Sequence, residues 1–345
     1  MKKVVSLMLV ALLILSFAGC KKQEPENPYK NYKIAMVSDR KGTDQFLLQA
    51  YNELVAMAEE YGFEYVSIEC KDDAERQEKP RTLCEQGYNL IIGVGWNYAS
   101  SLGTLADDFP DVKFGIIDTI AQNEKIHSAA FNVVNGAYVL GAMVAAAFPD
   151  DRLFGYIGNF DQQSNFEYRY GFEMGVRSLI PDAKFVVNFT NDYGDTQAPY
   201  NFAYQQQAAG CRFIMGSVAN AANSGIYTAA LELAEKGTPI YTSGLSVDQT
   251  TSENPYIIGG LTKNTAVPMR SMVEAFLKGE FTGGSETLGV TENAFCVVGV
   301  NFDANYRNTD IVTDAVIEAG KKALQDLKDG KVVLQIPEFS SWTED

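Results

Sequence analysis

The sequence predicts an α/β protein of two similar lobes, each a parallel sheet covered by helices on both faces. Short apolar runs of strand length alternate with longer amphipathic runs, and that alternation produces parallel sheets with helical crossovers. The alternation also runs through twice, in two series of similar size. At 345 residues the chain is long enough for two ordinary α/β domains.

In the first series, residues 33–38 (KIAMVS) read as a strand. A helix over 44–61 follows, with Phe46, Ala50, Leu54, Ala58 and Tyr61 on one face and Gly62 closing it. Strand 64–68, helix 74–85, strand 90–94, helix 99–109 and strand 113–117 complete the series. The second begins near His127 with a helix over 136–148 that is apolar nearly all round. That helix is too short to span a bilayer, so it reads as a buried packing helix. Strands 153–157, 184–189, 212–215, 239–242 and 256–261 then alternate with helices 168–179, 200–209, 224–236 and 266–278. A late strand over 294–300 and a helix over 311–328 end the body, which has no short tandem repeat.

Ahead of this body, Met1-Lys2-Lys3 precedes an apolar run from Val4 to Ala18, the form of a secretory signal. The run ends Leu15-Ser16-Phe17-Ala18-Gly19-Cys20, with small residues before a cysteine that a bacterial lipoprotein pathway would acylate. Phe17 is bulkier than the residue usual there. Residues 1–19 are therefore expected to be removed and Cys20 to carry lipid. Polar residues 20–31 would then form a tether, and the protein would be anchored to the cell membrane on its extracytoplasmic side.

The chain carries 28 basic and 44 acidic residues, net −16. That balance argues against nucleic acid and anionic membrane surfaces as partners. Besides Cys20 there are Cys70, Cys84, Cys211 and Cys296, none in a metal-ligand spacing. A disulfide is chemically allowed outside the cytoplasm, with Cys70 and Cys84 nearest in sequence; buried free thiols fit equally well.

A single histidine, His127, removes most catalytic schemes, and the string Gly244-Leu245-Ser246-Val247-Asp248 lacks the last glycine of a nucleophile elbow. No phosphate loop, dinucleotide fingerprint or zinc spacing occurs. No cofactor, metal or enzymatic activity is expected.

Ligands of open α/β sheets bind beyond the carboxyl ends of strands. The residues there are Asp39 with Phe46 close by, Trp96, Asp118, Phe189, Asn220, Ser246 with Asp248 near it, and Lys263. Rings, carboxylates, amides and one lysine suit a neutral, hydroxylated, flat-faced solute, since a carboxylate can accept from neighbouring hydroxyls and a ring can cover an apolar face.

At these residues the chain resembles the basic membrane protein (BMP) family of lipoproteins, which includes purine-nucleoside receptors of ABC transporters. The matching strings are 33–39 (KIAMVSD), 90–96 (LIIGVGW), 109–118 (FPDVKFGIID), 135–141 (NGAYVLG), 171–176 (GFEMGV) and 244–249 (GLSVDQ). The resemblance implies a type I periplasmic-binding-protein fold, two Rossmann-like lobes joined by three crossovers, placed near 119–126, 243–249 and 284–294. The first lobe would then be 32–122 plus 247–284, and the second 123–246 plus 285–345. It further implies that Asp39, Phe46, Asp118, Phe189 and Lys263 meet the ligand, with Phe46 and Phe189 stacking on a base while Asp118 and Lys263 hold ribose hydroxyls. Leu47 and the shortened loop 40–45 depart from the family pattern, as do residues 219–223. Ser246 stands where the family often has a base-reading Asp, and the acid here is Asp248. The expected function is capture of a small neutral solute, a nucleoside first, by a monomer that delivers it to an ABC permease. The alternatives are a sensor for a sugar or signalling molecule, a hydrolase using Asp39 and Asp118, and a surface adhesin.

Overall fold

The computed structural model describes residues 27–42, 44–219 and 221–339. The leader, Cys20 and Asn220 lie outside the described residues.

Two six-stranded sheets form the frame. The first holds β1 (Lys33–Ser38), β2 (Glu64–Glu69), β3 (Leu90–Val94), β4 (Lys113–Ile117), β5 (His127–Phe131) and β11 (Gly284–Leu288), in the order β11-β5-β4-β3-β1-β2. All its pairings are parallel. The second holds β6 (Leu153–Gly158), β7 (Lys184–Phe189), β8 (Phe213–Ser217), β9 (Tyr241–Ser246), β10 (Ile257–Lys263) and β12 (Phe295–Val297), in the order β12-β10-β9-β8-β6-β7. Only β10–β12 is antiparallel there.

Side-chain alternation along the strands explains why both faces of the first sheet are covered. Ile34, Met36, Leu90 and Ile92 point into one apolar cluster, and Ala35, Val37 and Ile91 into another on the opposite face. α1 (Gln45–Tyr61) and α8 (Ala266–Leu277) cover the first of these clusters; α2 (Asp73–Glu85) and α3 (Ala99–Asp108) cover the second.

The second sheet is enclosed likewise by α4 (Val133–Ala147), α5 (Gln163–Arg177) and α9 (Asp314–Lys328) on one face, and by α6 (Gln197–Ala209) and α7 (Ser224–Glu235) on the other. The helix α4 is buried almost throughout, as its composition predicts. It lies so close to α5 that a Cβ on Gly175 would stand 2.1 Å from the Tyr138 carbonyl oxygen. Among the described residues no helix is long and apolar enough to cross a membrane.

The chain passes between sheets three times, after β5, after β10 and after β11. The positions differ from the expected 119–126 and 243–249. His127–Phe131 pairs with β4 and β11 and so belongs to the first lobe; Ile257–Lys263 pairs with β9 and belongs to the second. Strand Gly284–Leu288 still belongs to the first lobe, so the third crossing lies between it and β12, within the expected 284–294. A parallel strand is an apolar run whichever sheet it joins, so hydropathy locates β10 without saying which neighbour pairs with it.

All four body cysteines are free and buried. His127 starts β5 inside the first lobe rather than at a lobe crossing, with Nδ1 3.0 Å from the Thr282 carbonyl and Nε2 3.1 Å from Glu286 beside it in the same sheet.

Candidate functional site

Lys263 ends β10 and reaches across to the first lobe, where its Nζ lies 2.6 Å from Asp118 Oδ1. The two side chains are only 18% and 19% exposed. The ammonium sits 5.9 Å from the Phe46 ring centroid and 5.6 Å from that of Phe131, within cation–π range. Burial opposes the charge on Lys263, but the Asp118 carboxylate, the Tyr168 phenol and the hydrogen bond to Asp118 outweigh it and raise its pKa. Burial likewise raises the Tyr168 phenol; Lys263 lowers it and Asp118 raises it.

The backbone is shaped for this pair. Asp118 follows β4 with φ 84°, and Ser246 ends β9 with φ 68°, both in the left-handed region that side chains disfavour. Such conformations persist where surrounding structure holds them, commonly at functional sites. Here the Asp118 amide donates to the Ala129 carbonyl at 2.8 Å. Phe46 is fixed from two sides: Asp44, capping α1, accepts from its amide at 3.0 Å, and Thr265 Oγ1 donates to its carbonyl at 2.6 Å.

Asp44, Phe46 and Asp118 from the first lobe and Ser246, Val247 and Lys263 from the second enclose a cavity of about 210 Å³. That is below the usual range of about 300–1,000 Å³ for drug-sized pockets, so it suits a small solute or one buried further by lobe closure. Lys263 is neutralised by Asp118, and Asp44 adds a further carboxylate. An anionic solute is thereby disfavoured, whereas hydroxyl donors find acceptors. Among the described residues no group of His, Cys, Asp or Glu is placed to hold a metal ion.

Of the residues singled out from sequence, Phe46, Asp118, Ser246 and Lys263 meet at this cavity. Phe189 ends β7 half-buried, edge-on to Tyr156 with ring centroids 6.4 Å apart, and is not among the cavity-lining residues. Trp96 is 73% exposed on a neighbouring depression with Thr119, Ile120 and Asn123.

Asp248 is committed elsewhere: Oδ1 accepts from the Thr250 amide and hydroxyl, each at 2.8 Å, and Oδ2 from the Asn305 amide at 2.6 Å. Of Ser246 and Asp248, it is therefore the serine that faces the cavity. Asp39 is also engaged, by Arg76, Asn97 and Tyr98.

Sequence reading missed Asp44, Val247, Phe131 and Tyr168. Asp44 read only as a helix start, and Phe131 lies in a strand whose HSAAF pattern carries little hydropathy signal. Tyr168 read as part of a helix with no indication of which way it faced.

A family model described as Bmp, ABC transporter substrate-binding protein PnrA-like, matches residues 33–332. The chain is 20% identical to the ABC transporter nucleoside-binding protein BmpA of Lactococcus lactis, over 96% of this chain and 99% of that one. It is 27% identical to an uncharacterised lipoprotein of Pyrococcus abyssi, over 84% of this chain and 75% of that one. Among solved structures, a solute-binding protein of an ABC transporter system from Aeropyrum pernix shares the fold, with a TM-score of 0.67 at 18% identity, covering 90% of this chain and 96% of that one. Two parallel-sheet lobes, a small cavity between them and a family match across nearly the whole body lead to one conclusion: the chain belongs to the Bmp family of PnrA-like ABC transporter substrate-binding proteins.

Proposed function

We propose that the protein captures a small neutral solute, a nucleoside first among candidates, between its lobes on the outer side of the membrane and hands it to an ABC importer. The observation that carries this is the cavity shared by both lobes, where Asp118 and Lys263 stand 2.6 Å apart beside the Phe46 ring. An adjacent carboxylate and ammonium match the paired acceptor and donor character of vicinal hydroxyls, and the ring can cover a flat base. A ligand that bonds both lobes favours the shut state by its differential affinity for it, so capture is hinge closure with no bond made or broken in the solute. The relative named nucleoside-binding and the relative named a lipoprotein support the same reading. Cys20 would supply the lipid anchor, and the protein would act as a monomer.

The hydrolase alternative requires Asp39 and Asp118 to flank one bond, yet the Asp39 carboxylate is held by Arg76. The test is native mass spectrometry of the body from residue 21, as purified and after refolding with a nucleoside panel. One nucleoside per chain, lost in Asp118→Ala, is the expected result. A well-folded protein that takes up none of the panel refutes the nucleoside assignment. Mass spectrometry of the membrane-extracted chain, showing an acylated Cys20 at its amino terminus, tests the anchor.

A further inference from the structure

Asp44 stands at the amino end of α1 with three of its four polar atoms engaged. Its amide donates to the Lys41 carbonyl at 2.8 Å, its carbonyl accepts from the Leu48 amide at 2.9 Å, and Oδ1 accepts from the Phe46 amide at 3.0 Å. Helix capping thus uses one carboxylate oxygen and holds the residue in place. Oδ2 receives no donor among the described residues. Nor does an ion pair there answer the charge: Lys41 pairs with Glu69 at 3.1 Å, the charge of Arg40 acts on that same acid, and Lys263 is taken by Asp118.

The cavity that Asp44 lines therefore carries two carboxylates against one ammonium, an excess of negative charge. Its polar groups differ in what they can tell apart. The Asp118–Lys263 pair presents an acceptor and a donor together. The Ser246 hydroxyl makes no hydrogen bond among the described residues and can donate or accept. Asp44 can only accept. Phe46, two residues further on, lines the same cavity, so a flat ring covered by Phe46 brings its edge to the wall that Asp44 helps to form.

We propose that Asp44 selects for a solute bearing an amino group: Oδ2 accepts a hydrogen bond from its N–H and turns away a solute with an oxo group at the same place. This rests on the solute-binding reading above and narrows it to a substrate class. An amino group on an aromatic ring donates and scarcely accepts, because its lone pair is conjugated with the ring. An oxo group only accepts, so it sets one acceptor against another that is charged. A site built to receive a donor rejects the analogue that lacks it.

Affinities for three pairs that differ at an amino group test this: adenosine and inosine, cytidine and uridine, galactosamine and galactose. The wild type should bind the amino member about tenfold more tightly, the effect of one hydrogen bond to a charged group. Asp44→Ser keeps the cap, since serine caps a helix as well as aspartate does, and should level the two members. Asp44→Asn also caps and can turn its amide to donate or accept; it should level them too, and serves if the serine variant does not fold. The readout is the ratio within a pair, because damage to the cap alone would weaken both members alike. Galactosamine bound more tightly than galactose with no nucleoside bound, and levelled in Asp44→Ser, would end the nucleoside assignment and leave the role of Asp44 standing. Nucleosides bound equally within each pair would overturn the proposal and leave the nucleoside assignment standing. A preference that survives in Asp44→Ser, or a wild type that binds none of the six compounds, would also overturn it.

Discussion

Replacing Lys263 with methionine isolates what the cross-lobe ion pair contributes. At 2.6 Å and an effective dielectric of about 20, the Coulombic attraction of the pair is about 6 kcal/mol. Most of it is offset by the desolvation of two charges that remain only 18% and 19% exposed. Removing one partner of a fully buried pair costs about 3–5 kcal/mol because the other is left uncompensated. Asp118 borders a cavity and can rehydrate, so Lys263→Met should cost less, about 1–3 kcal/mol. The double variant Lys263→Met/Asp118→Asn removes both charges and should recover most of that loss, since methionine still packs between Phe46 and Phe131. Binding should not recover, because neither variant restores the acceptor–donor pair. Urea unfolding gives the stabilities and titration with the retained solute gives the affinities. A single variant that costs under about 0.5 kcal/mol, or a double variant that binds like wild type, would refute this account.

Other expectations follow from the packing and the ionised groups. Gly175→Ala places a methyl 2.1 Å from the Tyr138 carbonyl oxygen, so α4 and α5 must separate; a loss of about 2–3 kcal/mol in urea unfolding is expected, and a neutral substitution would contradict the close approach. Burial pushes the thiols of Cys84, Cys211 and Cys296 up to about 11, 12 and 11, and raises Cys70 as well. At pH 8 a thiol reagent should therefore label none of the four in the folded body and all four after denaturation; only two labelled after denaturation would reveal a disulfide. Hydrogen bonds from Lys79 and Lys71 hold Glu75 down to about 2. A depressed carboxylate stabilises the fold above its ordinary pKa of 4.5, and that contribution fades as pH falls from there toward 2. The thermal-midpoint gap between wild type and Glu75→Gln should accordingly close below pH 4.5, and a gap that persists at pH 2 would contradict the pairing.

Sequence alone determined the α/β class, the order of most elements and the buried character of α4, because these depend on local periodicity. Period-two and period-3.6 hydropathy is written in consecutive residues, and 133–147 is apolar nearly all round. It also pointed to Phe46, Asp118 and Lys263, since residues just past strand ends can be read off once the strands are found. Tertiary structure alone decided which sheet β5 and β10 join, because strand pairing is a long-range choice that an apolar run leaves open. It alone showed that Ser246 faces the cavity while Asp248 binds Thr250 and Asn305, a difference made by one left-handed residue and a distant loop. Asp39 makes the same point. As a residue type after a strand it is a candidate ligand group, and only the fold shows that Arg76, 37 positions along the chain, pairs with its carboxylate.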